Sequence, residues 1–189
     1  MKGFPMGPRR KGEIELNFVR LKSIFNFIIL SVLLILFYSI PISANADIFL
    51  IIIDEKILPY NLSPDKYDNS PSKYDNSSSK YENSSDNYEN SSSKYENSPA
   101  KFENGISGNR RIISAENEFI GYYVYNDKGI LNFYNTSGAR VAFMPAGGQT
   151  TSVFMDDAWC GTLGTKDGNT VIGVSIKCYY KFILENGLK

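Results

Sequence analysis

A seven-residue unit recurs six times between Asp65 and Asn104, and it constrains the fold more than any other feature of the chain. Aromatic rings fall at Tyr67, Tyr74, Tyr81, Tyr88, Tyr95 and Phe102. Each is followed by an acid (Asp68, Asp75, Glu82, Glu89, Glu96, Glu103) and then by an asparagine (Asn69, Asn76, Asn83, Asn90, Asn97, Asn104). A period of seven suggests a coiled coil, but that structure needs two apolar positions per heptad and this unit has one. The Ser, Asn and Asp around each ring favour caps and turns over helix interiors. A flat strand fits no better, since an odd period sends successive rings to opposite faces. Two forms remain: a disordered spacer, or a short solenoid of turns whose aromatics stack in a ladder. One ring per unit buries too little apolar surface to offset the ~1–2 kcal/mol per residue of backbone ordering. A folded arm would therefore have to dock on the rest of the chain. Its candidate contact residues are the six rings themselves.

Upstream, Arg9, Arg10, Lys11, Arg20 and Lys22 precede an uncharged stretch, Ser23 to Ala46, that ends in Ala44-Asn45-Ala46. A basic start, an apolar run and a small-x-small ending describe a secretory signal covering residues 1–46, with Asp47 as the first mature residue. The expected destination is bacterial export, periplasmic or secreted. An uncleaved N-terminal membrane anchor is the alternative, because the stretch is long enough to span a bilayer. Residues 1–15 carry a further alternative, that they are untranslated. Lys11-Gly12-Glu13 fits a purine-rich ribosome-binding sequence ahead of a start at Leu16, and a Leu16 codon other than TTG or CTG would sink that reading. Removing residues 1–46 takes away six Lys/Arg and two Glu, so a chain neutral overall becomes one of net charge −4. Residues 63–104 carry five Lys against eight acids, a net of −3. Such a chain gains nothing from a phosphate backbone, so nucleic acid is not expected as a partner, nor is a membrane after cleavage.

The remainder reads as β-structure, giving four segments: residues 1–46 the signal, 47–62 a strand-bearing lead, 63–105 the repeat, and 106–189 a small β-domain. Asp47 to Ile53 is a continuous aliphatic run, expected to pair with the C-terminal sheet and to leave the repeat as an excursion between strands. Asn126-Asp127-Lys128-Gly129 and Asn135-Thr136-Ser137-Gly138 separate Ile120–Tyr125, Ile130–Tyr134 and Arg140–Met144, a meander pattern. Ser152–Met155, Ala158–Leu163, Thr170–Ile176 and Cys178–Leu184 are expected as four more strands. The fold class is mainly β: a small antiparallel sheet, sandwich or barrel behind a repeat arm. No helix is expected outside the signal.

The tandem Lys/Asn-Tyr-Asp/Glu-Asn-Ser-Pro/Ser-Ser units resemble those of a group of small exported bacterial proteins. In that group the repeats precede a domain similar to Gly121-Tyr122-Tyr123-Val124, Arg140 to Gly148, and Trp159-Cys160-Gly161-Thr162. The likeness covers most of the chain after residue 46, although the group tends to carry Asn where this chain has Lys at the start of most units. It implies location and architecture, and carries no activity or site.

Chemistry is narrowed chiefly by what is missing. The chain has no histidine, which removes Ser-His-Asp and Cys-His catalysis and histidine metal sites; no metal or other cofactor is expected. Cys160 and Cys178 lie in neighbouring expected strands of an exported protein and are the candidate disulfide, closing a loop worth ~3 kcal/mol on the chain-entropy account. Asp167-Gly168-Asn169 reads as a turn, and Asp156-Asp157 as the first candidates if the protein is a small secreted hydrolase. Tyr122, Tyr123, Tyr125, Phe133, Tyr134, Tyr179 and Tyr180 are too many aromatics for one face of a small sheet. Some are expected at the surface, with Tyr122, Tyr123 and Tyr134 as binding candidates alongside the repeat rings, unless cross-strand pairing accounts for them. The function that follows is a non-catalytic exported binding or envelope-associated protein, its partner unassigned but of the glycan or protein kind. A secreted hydrolase using acids, or a secreted effector, is the alternative.

Overall fold

The computed structural model describes residues 46–184, so the signal reading lies outside the described residues except at Ala46. Eight strands close into one barrel in sequence order: β1 (Ile48–Ile52), β2 (Arg111–Ile113), β3 (Phe119–Tyr125), β4 (Leu131–Asn135), β5 (Arg140–Met144), β6 (Ser152–Met155), β7 (Ala158–Lys166) and β8 (Asn169–Val174). One helix follows, α1 (Ile176–Leu184). From β2 to β8 every neighbouring pair is antiparallel. β1 is the exception, running parallel to both β2 and β8 and closing the ring between them. The architecture is a mainly β, mixed barrel.

Local chemistry sets the hairpins. In the β3–β4 connection the Asn126 side-chain oxygen accepts from the N–H groups of Lys128 and Ile130, both at 2.9 Å, and Gly129 takes a left-handed φ of 81°. The β4–β5 connection repeats this, with Asn135 accepting from Ser137 and Ala139 and Gly138 at φ 87°. Asp167 and Gly168, with φ of 52° and 80°, form the β7–β8 tip.

The inward side chains make an apolar core that includes Ile48, Leu50, Ile112, Phe133, Val153 and Ile172. Eight strands leave an interior that side chains can fill, so this is a packed barrel. Helix α1 contacts β3, β4 and β7, strands on opposite sides of the ring, and therefore lies across one mouth. Cys178 and Phe182 join the core, with Tyr179 and Ile183 packed beside them.

That helix corrects the strand expected over Cys178–Leu184. The aromatic and β-branched composition favours a strand, but the core-facing set 178, 179, 182 and 183 has helical spacing, and covering the barrel mouth rewards that period. Cys178 is thus on a helix, and its Cα lies 5.4 Å from that of Cys160 on β7, a separation suited to a disulfide. Strand β2, which the sequence reading did not assign, supplies the edge beside β1; Arg111 on β2 forms a two-pronged ion pair with Asp47, its Nε 2.8 Å from Oδ1.

Two adjacent parallel strands cannot be joined by a tight turn; they need a crossover. Residues 53–110 are that crossover, and they contain the whole repeat. The arm runs over the outer face of β5, β4 and β3, the position that a helix takes in a βαβ unit. Consequently these strands are covered on both sides, and β4 is buried at every position.

Candidate functional site

Each repeat places its aromatic, acid and asparagine in a single 3₁₀ turn: 67–69, 74–76, 81–83, 88–90, 95–97 and 102–104. The asparagine N–H bonds back to the carbonyl three residues earlier at 2.8–3.0 Å. The serine after it (Ser70, Ser77, Ser84, Ser91, Ser98) closes the next bend, its hydroxyl accepting from the N–H two residues on.

The asparagine side chains hold successive turns together. Asn76 Nδ2 donates to the Asp68 and Ser70 carbonyls of the preceding unit, and Asn83, Asn90, Asn97 and Asn104 repeat the pattern one unit on each time. Asn69 reaches Asn61 and Ser63 in the same way. All six asparagines are buried. The repeat is therefore a solenoid of turns, which corrects the disordered-spacer alternative. Its ladder is made of asparagine amides; among the described residues no ring contact joins two repeat aromatics.

Lysine at the start of a unit pairs with the acid of the unit before: Lys73 with Asp68 at 2.9 Å, Lys80 with Asp75 at 2.7 Å, and likewise Lys94 with Glu89 and Lys101 with Glu96. These hydrogen-bonded ammonium groups hold the Asp68, Asp75 and Glu96 carboxyls below their ordinary values. The exception is informative. Asn87 replaces lysine and caps its own turn, and the orphaned Glu82 takes Lys128 of the barrel at 3.5 Å.

The inner edge of the arm is pinned by the barrel. Asn90 Oδ1 accepts from Asn126 and Asn132, and its carbonyl accepts from the Tyr134 hydroxyl at 2.7 Å. Tyr122 donates to the Asn97 carbonyl at 2.6 Å, and Thr150 to Asn69 Oδ1 at 3.0 Å. Arg140 donates to the Asn83 carbonyl and to Asn132 Oδ1, and lies 4.8 Å from the Phe143 ring centre. Desolvation pulls the Arg140 guanidinium down to about 10. Pro99 sits against Gly138, where an added Cβ would come within 2.9 Å of its ring.

These contacts also relocate three expected binding residues. Tyr122 and Tyr134 stack at 5.2 Å beneath the arm, and Tyr123 points into the core with its hydroxyl on the Ala46 carbonyl at 2.6 Å. All three are buried, and burial raises their phenol pKa values, that of Tyr123 to about 12. The expectation of surface exposure fails for Tyr122 and Tyr134 because the arm covers the outer face, and for Tyr123 because its face is the barrel core. Tyr125 and Tyr180 are the exposed barrel and helix aromatics.

The arm's outer edge keeps the other candidates together. Tyr67, Tyr74, Tyr81, Tyr88, Tyr95 and Phe102 are 58–72% exposed, one per turn, each in the same place in its unit. The ammonium of Lys80 hangs 5.6 Å from the Tyr74 ring centre. The result is a strip of aromatic platforms bordered by ion pairs. What sequence reasoning missed is the layer beneath: Asn132 and Arg140 were not singled out, and Tyr122 and Tyr134 were expected at the surface; the invariance of asparagine across six units was its one visible signal.

Two other places offer less. A 460 Å³ cleft beside β7 is lined by Ile52, Ile53, Met155, Trp159, Ile176 and Lys177 among others. Its carboxylates, Asp54 and Glu55, are consecutive residues of one turn and cannot flank a bond from opposite sides. Asp156 and Asp157 form the tip of the β6–β7 hairpin, with Asp156 at φ 51° and Asp157 accepting from Ser78 of the arm. Among the described residues no group of three or more acids and cysteines is placed to hold a metal ion, and no helix is long and apolar enough to cross a membrane. In comparisons with known proteins the chain matches no family model, no curated protein and no solved structure.

Proposed function

We propose that this is an exported binding protein without catalytic activity, whose repeat arm presents a rigid aromatic strip to an extended partner in the cell envelope or outside it. The observation that carries this is the division of labour within each unit. Asparagine, the serine that follows it, lysine and most of the acids are committed to holding the arm, while the ring is the one large apolar group of the unit and is left facing solvent at every turn. A spacer gains nothing from six equivalent exposed rings, whereas aromatic rings with a polar tip are favoured contact groups. The basic, apolar and small-residue order of residues 1–46 and the cysteine pair 160–178 both support an exported setting. The hydrolase alternative is weakened because its candidates, Asp156 and Asp157, are consecutive residues at a hairpin tip and Asp157 accepts from Ser78 of the arm.

The test is retention of the exported chain on isolated envelopes. Replacing Tyr81 and Tyr88 together by serine should lower retention by about tenfold or more, the loss of two aromatic contacts, and leave the melting temperature unchanged. Retention that ignores both rings would overturn the reading.

A further inference from the structure

We infer that the partner of the strip is an uncharged linear polysaccharide lying along the arm; the inference rests on the arm's outer edge being the binding surface. Three observations lead there. The first is periodicity. One ring per turn recurs with the same neighbours, and the turns are fixed to one another by paired asparagine bonds of 2.6–3.2 Å. A surface of that kind is read in full only by a ligand that repeats as well. A globular partner presents an aperiodic face and would use one or two rings.

The second observation is charge. Single-stranded nucleic acid also stacks its bases on aromatic rows, but it needs a positive groove beside them. Here Lys66, Lys73, Lys80, Lys94 and Lys101 are all within 3.6 Å of carboxylates, and residues 63–104 remain net negative by three. Within residues 63–104 no lysine is left unpaired to neutralise phosphate, sulfate or uronate. The third is the chemistry of the borders. A flat ring offers a platform to the C–H face of a sugar, and the ion pairs beside it offer both donors and acceptors to ring hydroxyls. A neutral glycan meets all three demands without burying an unpaired charge.

Single ring–sugar contacts are weak, so the strip works by valency. Once one sugar is seated, the neighbouring rings see the rest of the chain at high effective concentration. The affinity must then climb with chain length. The experiment titrates the exported chain with neutral oligosaccharides of two to six sugars (β-1,4-glucan, β-1,4-N-acetylglucosamine, α-1,4-glucan and mannan series). Polygalacturonate and single-stranded oligothymidylate serve as charged controls, and sedimentation velocity is run in parallel. In at least one neutral series the hexamer should bind at least about tenfold more tightly than the dimer. Tyr81→Ser with Tyr88→Ser should flatten that dependence without moving the melting temperature, and the charged polymers should bind at least about tenfold more weakly. Absence of length dependence in every neutral series, or equal binding of the charged polymers, overturns the inference. So does tyrosine-dependent dimerisation, which would make a second copy of this chain the occupant. If envelope retention still needs the tyrosines in any of those cases, the binding surface stands and only the ligand class falls.

Discussion

The barrel and the arm are ordered by different forces. In the barrel, side chains such as Leu50, Phe133 and Ile172 are fully buried against one another, and burial of apolar surface at roughly 25 cal/mol per Å² drives the closure. The arm has almost no apolar interior. Its buried side chains are polar: Ser63, Asn87 and the six ladder asparagines Asn69, Asn76, Asn83, Asn90, Asn97 and Asn104, which satisfy backbone carbonyls that the 3₁₀ turns leave open. A hydrogen bond contributes only about 0.5–1.5 kcal/mol net. Such a ladder therefore holds only when its ends are fixed and its inner edge is docked. Strands β1 and β2 fix the ends, and Tyr122, Tyr134, Asn132 and Arg140 supply the dock. The dependence runs one way. The arm is expected to come apart when the barrel does, whereas the barrel core does not pass through the arm.

The sharpest way to break that asymmetry is from the barrel side. Phe133→Ala removes a fully buried ring from the core and should cost ~3–5 kcal/mol. In urea, the arm should lose protease resistance at its lysines at the same denaturant concentration at which Trp159 fluorescence reports the barrel. An arm that survives the loss of the barrel would show that the ladder is self-sufficient.

Units of the arm should differ by how they touch the barrel, although their sequences are nearly the same. Asn90 makes two ladder bonds and also accepts from Asn126 and Asn132, so Asn90→Ala removes four side-chain hydrogen bonds, two from barrel amides and two to carbonyls. The expected cost is ~2–4 kcal/mol. Asn76→Ala frees only the Asp68 and Ser70 carbonyls, and should cost ~1–2 kcal/mol. Proteolysis at Lys80 and Lys94 gives the readout. Equal effects of the two substitutions would mean that docking adds nothing to the ladder.

Legibility in the sequence follows the same division. The barrel hairpins were readable because Asn-x-x-Gly encodes its turn locally, as at Asn126–Gly129 and Asn135–Gly138. The arm was half readable. Constancy of asparagine marked it as more than filler, but which group forms the ladder depends on how far each side chain reaches into the preceding turn. That distance is set by the fold and not by the period. Burial of Tyr122 and Tyr134 was not readable at all, because alternation along β3 reports two faces and cannot say that a crossover covers the outer one. Helix α1 failed for a related reason. Its nine residues are too few for the period to outweigh β-favouring aromatics until the barrel mouth is there to be covered.

Alkaline pH offers the gentlest way to part the two regions. Burial raises the phenols of Tyr122 and Tyr134, which hold the arm, and of Tyr123, which lies in the core and is pushed up to about 12. A raised folded pKa means that the stabilisation is complete below the unfolded value near 10 and is lost as pH climbs through the folded one. Lys80 and Lys94, also raised by their carboxylate partners, lose their contribution in the same direction above 10.5. Arg140 works the other way: its folded value is depressed to about 10, so shedding its proton above that pH relieves a desolvated charge. One guanidinium does not offset three phenols, so the net effect between pH 10 and 12 should be a loss of stability. Because Tyr122 and Tyr134 bond to carbonyls of the arm and Tyr123 to Ala46, release should begin at the arm. Protease cutting at Lys80 and Lys94 should therefore appear at lower pH than loss of the far-ultraviolet signal of the barrel. Cutting that appears only together with barrel unfolding would mean that the tyrosine dock has no separate release, and that arm and barrel form one cooperative unit.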